Sequence, residues 1–245
     1  MRENQILPKT VNVSVVFPAY NEVGSLKLAV EKTMQALKEF SSSFEIIIAE
    51  DGSTDGTNRI ACSLANKYSF VKHLHRDTRL GRGVALKNAF RLSSGRILVY
   101  MDVDLATNIK QLKTLVNSVE AEGFDFAIGS RMLSKSKVKR SHTRQLASQI
   151  YNFLVRVMLR SKIRDHQCGF KAFKREALLP LLDEVIAQHW FWDTEILVRA
   201  AGKGYTIKEI PVDWKSQRET KVRLFNDSFS MGIQVVKLWW ELKFQ

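Results

Sequence analysis

The sequence predicts an α/β domain built on a mostly parallel central sheet with flanking helices, and three observations carry that prediction. Short apolar runs recur at residues 13–18, 44–49, 97–101 and 124–129, each bounded by turn residues and each of strand rather than helix length. Helical stretches separate them, which gives β-α-β-α order through about residue 130 and hence right-handed crossovers between parallel strands. Several runs end in carboxylates, and open α/β sheets bind ligands outside the carboxyl ends of their strands.

Each element follows from local chemistry. The first run stops at Pro18 and is followed by the polar pair Asn21 and Glu22, after which Gly24 and Ser25 open an amphipathic helix with Leu28, Met34 and Leu37 among its apolar positions. The second run leads into Glu50-Asp-Gly-Ser-Thr-Asp55-Gly-Thr57, whose turn residues present carboxylates at the same sheet edge. Asp51 follows its strand closely enough to accept from the N–H of a nucleobase, whereas Asp55 is either another edge carboxylate or a helix N-cap. The run 96–104, Arg-Ile-Leu-Val-Tyr-Met-Asp-Val-Asp, follows Ser93-Ser-Gly95 and delivers Asp102 and Asp104 at its end. Two hard oxygen ligands so placed suit Mg²⁺ or Mn²⁺, an ion usually completed by substrate phosphates, so a nucleoside diphosphate is the natural co-ligand.

At 245 residues and 45% hydrophobic content the chain is sized for one large α/β domain. Cys62 and Cys168 are too few and too far apart for a disulfide framework, which points to a reducing compartment. The N-terminus lacks the apolar core of a signal peptide, and no run of eighteen apolar residues occurs. Charge is concentrated: residues 131–175 carry 13 Lys and Arg against one acid, Asp165, so this segment holds +12 of the net +13. Within it Leu146, Ile150, Phe153, Leu154, Val157 and Met158 fall at helical spacing among Arg144, Arg156 and Arg160. Such a helix either lies in a membrane interface facing anionic headgroups or packs on the core. A second helix, with Asp227 or Ser228 as its cap, ends in Trp239 and Trp240, residues that favour the membrane interface.

Four ordered blocks, Phe17-Pro-Ala-Tyr-Asn-Glu22, Glu50-Asp-Gly-Ser-Thr-Asp55, Leu80-Gly-Arg-Gly-Val-Ala-Leu86 and Met101-Asp-Val-Asp104, resemble family 2 glycosyltransferases of the GT-A fold. Ile163-Arg-Asp-His-Gln-Cys-Gly-Phe-Lys171 and Trp190-Phe-Trp-Asp-Thr-Glu-Ile-Leu197 are similar to the branch that makes polyprenyl-phosphate sugars, the dolichyl-phosphate glucose and mannose synthases. The resemblance covers about residues 11–223. It implies a transferase domain over 1–225, with a nucleotide-sugar half at 11–130 and an acceptor half at 131–225, followed by an amphipathic helix at 226–245.

The same resemblance implies site roles. Pro18, Ala19, Tyr20, Glu22 and Asp51 would surround the nucleoside, Arg79 and Arg82 would approach the diphosphate, and Asp102 and Asp104 would hold the metal. A lipid phosphate is largely dianionic at neutral pH and needs positioning more than a general base. Arginine forks position phosphates well. Arg131 is the first candidate and Arg144 the second, with Gln167 and Lys171 in the acceptor block and Arg218 and Lys221 in a basic loop. Asp193 stands where inverting relatives with hydroxyl acceptors carry the catalytic base, or orients sugar or acceptor. His142, His166 and His189 are not at metal-ligand spacing.

Leu105-Ala-Thr107 and Lys139-Arg-Ser141 look more like the glucosyltransferase branch, so UDP-glucose is favoured over GDP-mannose. The implied protein is an inverting hexosyltransferase working peripherally on the cytoplasmic face of a membrane, with a polyprenyl or dolichyl phosphate acceptor and an anionic membrane surface as partner. A saccharide acceptor is the alternative within the class. A processive polysaccharide synthase would add a Gln-x-x-Arg-Trp motif and membrane spans, which are lacking. A non-catalytic nucleic-acid-binding or membrane-binding module would explain the charge, but Asp51, Asp102 and Asp104 would repel a phosphate backbone unless a metal intervened, so no nucleic acid is expected.

Overall fold

The computed structural model describes residues 11–216 and 224–244, with side chains described for 11–216 and 230–244. The first half alternates as expected: β1 (Val13–Ala19), α1 (Leu26–Lys38), β2 (Phe44–Glu50), α2 (Thr57–Lys67), β3 (Val71–Leu74), α3 (Arg82–Leu92), β4 (Ile97–Met101), α4 (Leu112–Glu120) and β5 (Phe126–Ser130). The second half supplies β6 (Lys137–Lys139), α5 (His142–Met158), β7 (Phe170–Lys174), α6 (Arg175–Leu181), α7 (Trp192–Gly202), β8 (Ile207–Pro211), β9 (Asp213–Lys215) and α8 (Leu224–Phe244).

Seven strands form one sheet in the order β3-β2-β1-β4-β7-β5-β8, while β6 and β9 pair separately. All neighbours in the large sheet are parallel except β7, which runs antiparallel between β4 and β5. The central strands are covered on both faces, which is why β1, β2 and β4 are continuous apolar runs. Each fully buried Val, Leu or Ile there contributes roughly 1.5–3 kcal/mol. Parallel order brings the carboxyl ends of β1, β2 and β4 to one edge, and with them Tyr20, Asp51 and Asp102.

Some boundaries differ from the sequence reading. Helix α8 begins at Leu224, ahead of the expected caps Asp227 and Ser228, and Leu28 on α1 points to solvent. Of the expected α5 stripe, Leu154 and Met158 pack against a cluster in which Tyr151 and Val155 meet Met231, Val235 and Leu238 of α8 with Phe191 and Val198. Leu146, Ile150, Phe153 and Val157 remain exposed, as do Ile233, Val236 and Trp240 of α8.

Candidate active site

Asp102 and Asp104 leave the end of β4 in a loop held by backbone contacts. The Asp102 N–H donates to the Gly169 carbonyl at 3.1 Å, and Asp104 Oδ1 accepts from the Ala106 N–H at 2.9 Å. Leu105, directly after Asp104, adopts φ +49°, a left-handed conformation that costs a side-chain residue of order 1 kcal/mol or more and clusters at functional sites. Gly169 is required here because a Cβ at that position would collide with the Asp102 carboxylate. Burial, and then the charge of Asp102, push the Asp104 carboxyl up to about 6. Arg82 offsets part of this negative charge: its guanidinium meets Asp102 Oδ1 at 2.7 Å and lies over the rings of Tyr100 and Trp190. The residue expected at the diphosphate is therefore already paired with Asp102, one of the two expected metal ligands.

Asp51 is buried, and its two oxygens accept from the Leu80 and Gly81 N–H groups at 2.9 and 2.8 Å. This clamp brings the 79–81 segment against β2, where Gly52 (φ +69°) would place a Cβ 2.5 Å from the Arg79 nitrogen. The Arg79 guanidinium lies 3.9 Å from the centroid of the Tyr20 ring. Asp55 turns away to hold the start of α2 through Thr57 and to accept from the Val23 N–H at 3.2 Å, so it pins a loop and stands outside the cavity.

One cavity of about 310 Å³ joins these groups to residues of the second half of the chain. Pro18, Ala19, Tyr20, Glu22, Asp51 and Arg79 line one end, with Asp102, Asp104 and Arg82 at the carboxylate edge. Arg131, Arg140, Arg144 and Gln167 line the other, which continues along Ala147, Ser148 and Tyr151 of α5 to Met231 of α8. Arg131 is locked by Asp165, donating from its backbone N–H, Nε and Nη2 at 2.7–2.9 Å. Burial opposes the Asp165 charge, but the Arg131 guanidinium outweighs it and holds the carboxyl down to about 2. Arg140 was not anticipated as a site residue. It follows β6, whose alternation sends Lys137 and Lys139 to solvent, and its buried Nε has no hydrogen-bond partner. Burial and the neighbouring Arg131 charge hold its pKa down to about 10.

Two expected site residues lie beneath the cavity rather than in it. Lys171 is fully buried on β7 and donates to Asp193, to the Tyr100 hydroxyl at 3.1 Å and to the His166 carbonyl at 2.8 Å. It cannot reach an acceptor. Asp193, also buried, accepts from Lys171 and Tyr100 and lies 3.7 Å from Arg82, which fits a positioning carboxylate under the floor rather than a base touching substrate. Burial pushes the Asp193 carboxyl up and the Lys171 ammonium down. His166 is equally structural: it bonds Asn152 and Ser161 at 2.9 Å, and burial holds its pKa near 3. Arg218 and Lys221 lie outside the described residues.

The donor set suits a hard divalent cation. Asp102 and Asp104 offer carboxylate oxygens at one edge, with the Arg82 guanidinium meeting Asp102 Oδ1 at 2.7 Å beside them.

Residues 14–182 match the model of glycosyl transferase family 2. The glycosyltransferase AglD of Haloferax volcanii is 48% identical over 234 residues, 95% of this chain and 38% of that protein, so the chain spans well under half of that relative. Dolichyl-phosphate beta-glucosyltransferase of Saccharomyces cerevisiae is 30% identical over 91% of this chain and 73% of its own length. Among solved structures, glucosyl-3-phosphoglycerate synthase of Mycobacterium tuberculosis, in complex with Mn²⁺, uridine diphosphate and glucosyl-3-phosphoglycerate, superposes with a TM-score of 0.67 at 19% identity, covering 92% of this chain and 77% of that one. Mannosyl-3-phosphoglycerate synthase of Rubrobacter xylanophilus does so with a TM-score of 0.70 at 16% identity, covering 94% and 73%. At such identities the likeness speaks to the fold, which is GT-A. With that fold, and with more than half of its length matched by the family model, the chain belongs to glycosyltransferase family 2.

Proposed function

We propose that the chain is an inverting glycosyltransferase that moves a hexose, glucose in preference to mannose, from a nucleoside diphosphate sugar to a polyprenyl phosphate at a membrane surface. The carrying observation is the single cavity that runs from the Asp102–Asp104 edge to an arginine cluster and then to an apolar exit between α5 and α8. Asp51 and Tyr20 flank the nucleoside, and Arg79 stands over it at the mouth. Arg131, Arg140 and Arg144 present the acceptor phosphate, whose oxygen attacks the anomeric carbon from the face opposite the diphosphate. The new carbon–oxygen bond forms as the bond to the diphosphate breaks, and the nucleoside diphosphate departs with that electron pair. Asp102 and Asp104 would hold a divalent cation, which would supply Lewis-acid neutralisation of the departing charge. Glucose is favoured by the yeast relative's name and by the Ala106-Thr107 pair.

The test is a panel of nucleotide sugars with a short polyprenyl phosphate and Mg²⁺ or Mn²⁺. UDP release from UDP-glucose, dependent on the lipid phosphate, is expected; no acceptor-dependent release from any donor would overturn the reading. Removing Arg131 would strand Asp165 in the core, so Arg144→Ala is the cleaner probe of the acceptor end. Losing one charge-assisted contact of about 1.5–3 kcal/mol should raise the acceptor KM by roughly tenfold or more while donor affinity stays within about threefold. Equal loss of donor binding by calorimetry would move Arg144 to the donor site.

Among the described residues no helix is long and apolar enough to cross a membrane. The exposed apolar faces of α5 and α8, beside the basic segment, fit peripheral attachment instead. Lys135, Lys137 and Lys139 are exposed, whereas Arg140 belongs to the cavity and is left intact in the test. At about 1 kcal/mol per charge, changing the three lysines to Gln should weaken binding to anionic vesicles by tenfold or more, with little effect on a detergent-solubilised short-chain acceptor. Unchanged vesicle binding would assign these charges another purpose.

A further inference from the structure

We propose that Glu50, His73 and His75 form a second metal site, distinct from the Asp102–Asp104 edge and suited to a borderline ion of the Zn²⁺ class. His73 and His75 stand two apart along β3 and its extension and so share a face, while Glu50 ends the neighbouring β2. One ligand atom from each lies within 4.8 Å of the others. None of the three lines the catalytic cavity.

Each member carries a separate sign of a ligand's surroundings. The His73 Nε2 is buried and has no hydrogen-bond partner, a costly state for a ring nitrogen that a cation would relieve. His75 Nδ1 lies 2.5 Å from Glu50 Oε2, so a proton already occupies the position between two ligand atoms. On the far side of the same ring, Nε2 meets Asp77 Oδ1 at 3.2 Å, the outer carboxylate that metal-bound histidines commonly engage. Glu50 Oε1 is held by the Ser53 N–H at 2.5 Å.

Two imidazoles and one carboxylate are the donor set of Zn²⁺ rather than of Mg²⁺. Ligand atoms around tetrahedral Zn²⁺ stand roughly 3.3 Å apart by their bond lengths, so the half-exposed His75 ring has to draw back from Glu50 Oε2, now 2.5 Å away, to admit the ion. On binding, the bridging proton leaves to solvent. The ion would join the ends of β2 and β3 directly beside Asp51 and at the root of the segment that supplies Leu80 and Gly81 to it, and so would stiffen the nucleoside end of the cavity.

Zn²⁺ titration by calorimetry, in Mg²⁺ sufficient to fill the hard site, tests this on the whole chain. One Zn²⁺ should bind, at least tenfold more weakly in His73→Gln, and should raise the unfolding temperature of the wild type but not of the variant. Cu²⁺ bound to the unaltered protein should show two imidazole nitrogens by electron paramagnetic resonance, a measurement that does not depend on any variant folding. Absence of binding, equal binding in His73→Gln, or loss of binding in Asp104→Asn instead would each overturn the proposal. In the last two cases the Glu50–His75 contact is an ordinary buried hydrogen bond.

Discussion

Asp104→Asn should lower turnover by about 10²-fold or more, the scale on which losing one electrostatic stabiliser of a developing charge is felt. Asn is nearly isosteric, and its Oδ1 can still accept from the Ala106 N–H, so the loop that carries the residue keeps its shape. What disappears is one negative charge. Because burial and Asp102 already push the Asp104 carboxyl up to about 6, its removal relieves repulsion in the folded protein, and the variant should unfold no more easily than the wild type. Reduced rate with undiminished stability separates a metal ligand from a structural carboxylate. Chelation by EDTA should silence the wild type, and Mg²⁺ or Mn²⁺ should restore it. Full activity in chelator would sink the metal-dependent mechanism.

The carboxylate edge was legible because it is local. A parallel strand covered on both faces needs an unbroken apolar run, so the first polar residue after the run marks where the chain leaves the sheet, and Asp51 and Asp102 were placed on that logic alone. The arginine end was legible only as a charge excess. Arg131 and Arg144 were named from the family blocks, while Arg140 differs from exposed Lys137 and Lys139 only by its place after β6. The histidines of β3 were passed over for a related reason: their third partner, Glu50, is on another strand, and sequence spacing along one segment cannot show a site assembled across two.

Strand β7 shows the opposite error. Lys171, in Phe170-Lys-Ala-Phe-Lys174, is assigned to the acceptor only through the family's acceptor block, which puts it at a wet surface. That inference needs a sheet with one solvated face. Strand β7 instead runs between β4 and β5 with both faces covered, so Lys171 has no route to water and meets its counter-ion Asp193 inside.

The consequence is a stability test rather than a binding one. Lys171→Met conserves much of the shape but strands the Asp193 carboxylate, leaving it the Tyr100 hydroxyl and a distant Arg82. Breaking a buried pair from one side typically costs about 3–5 kcal/mol, whereas replacing both partners by apolar groups is often neutral. The single variant should therefore unfold at much lower urea, and Lys171→Met with Asp193→Leu should recover most of the loss, a non-additivity of more than about 1 kcal/mol. If Lys171 gripped the acceptor phosphate instead, the single variant would keep the wild-type urea midpoint and show only a raised acceptor KM. That outcome would return Lys171 to the cavity wall and leave the charge of Asp193 to be balanced by Arg82 alone.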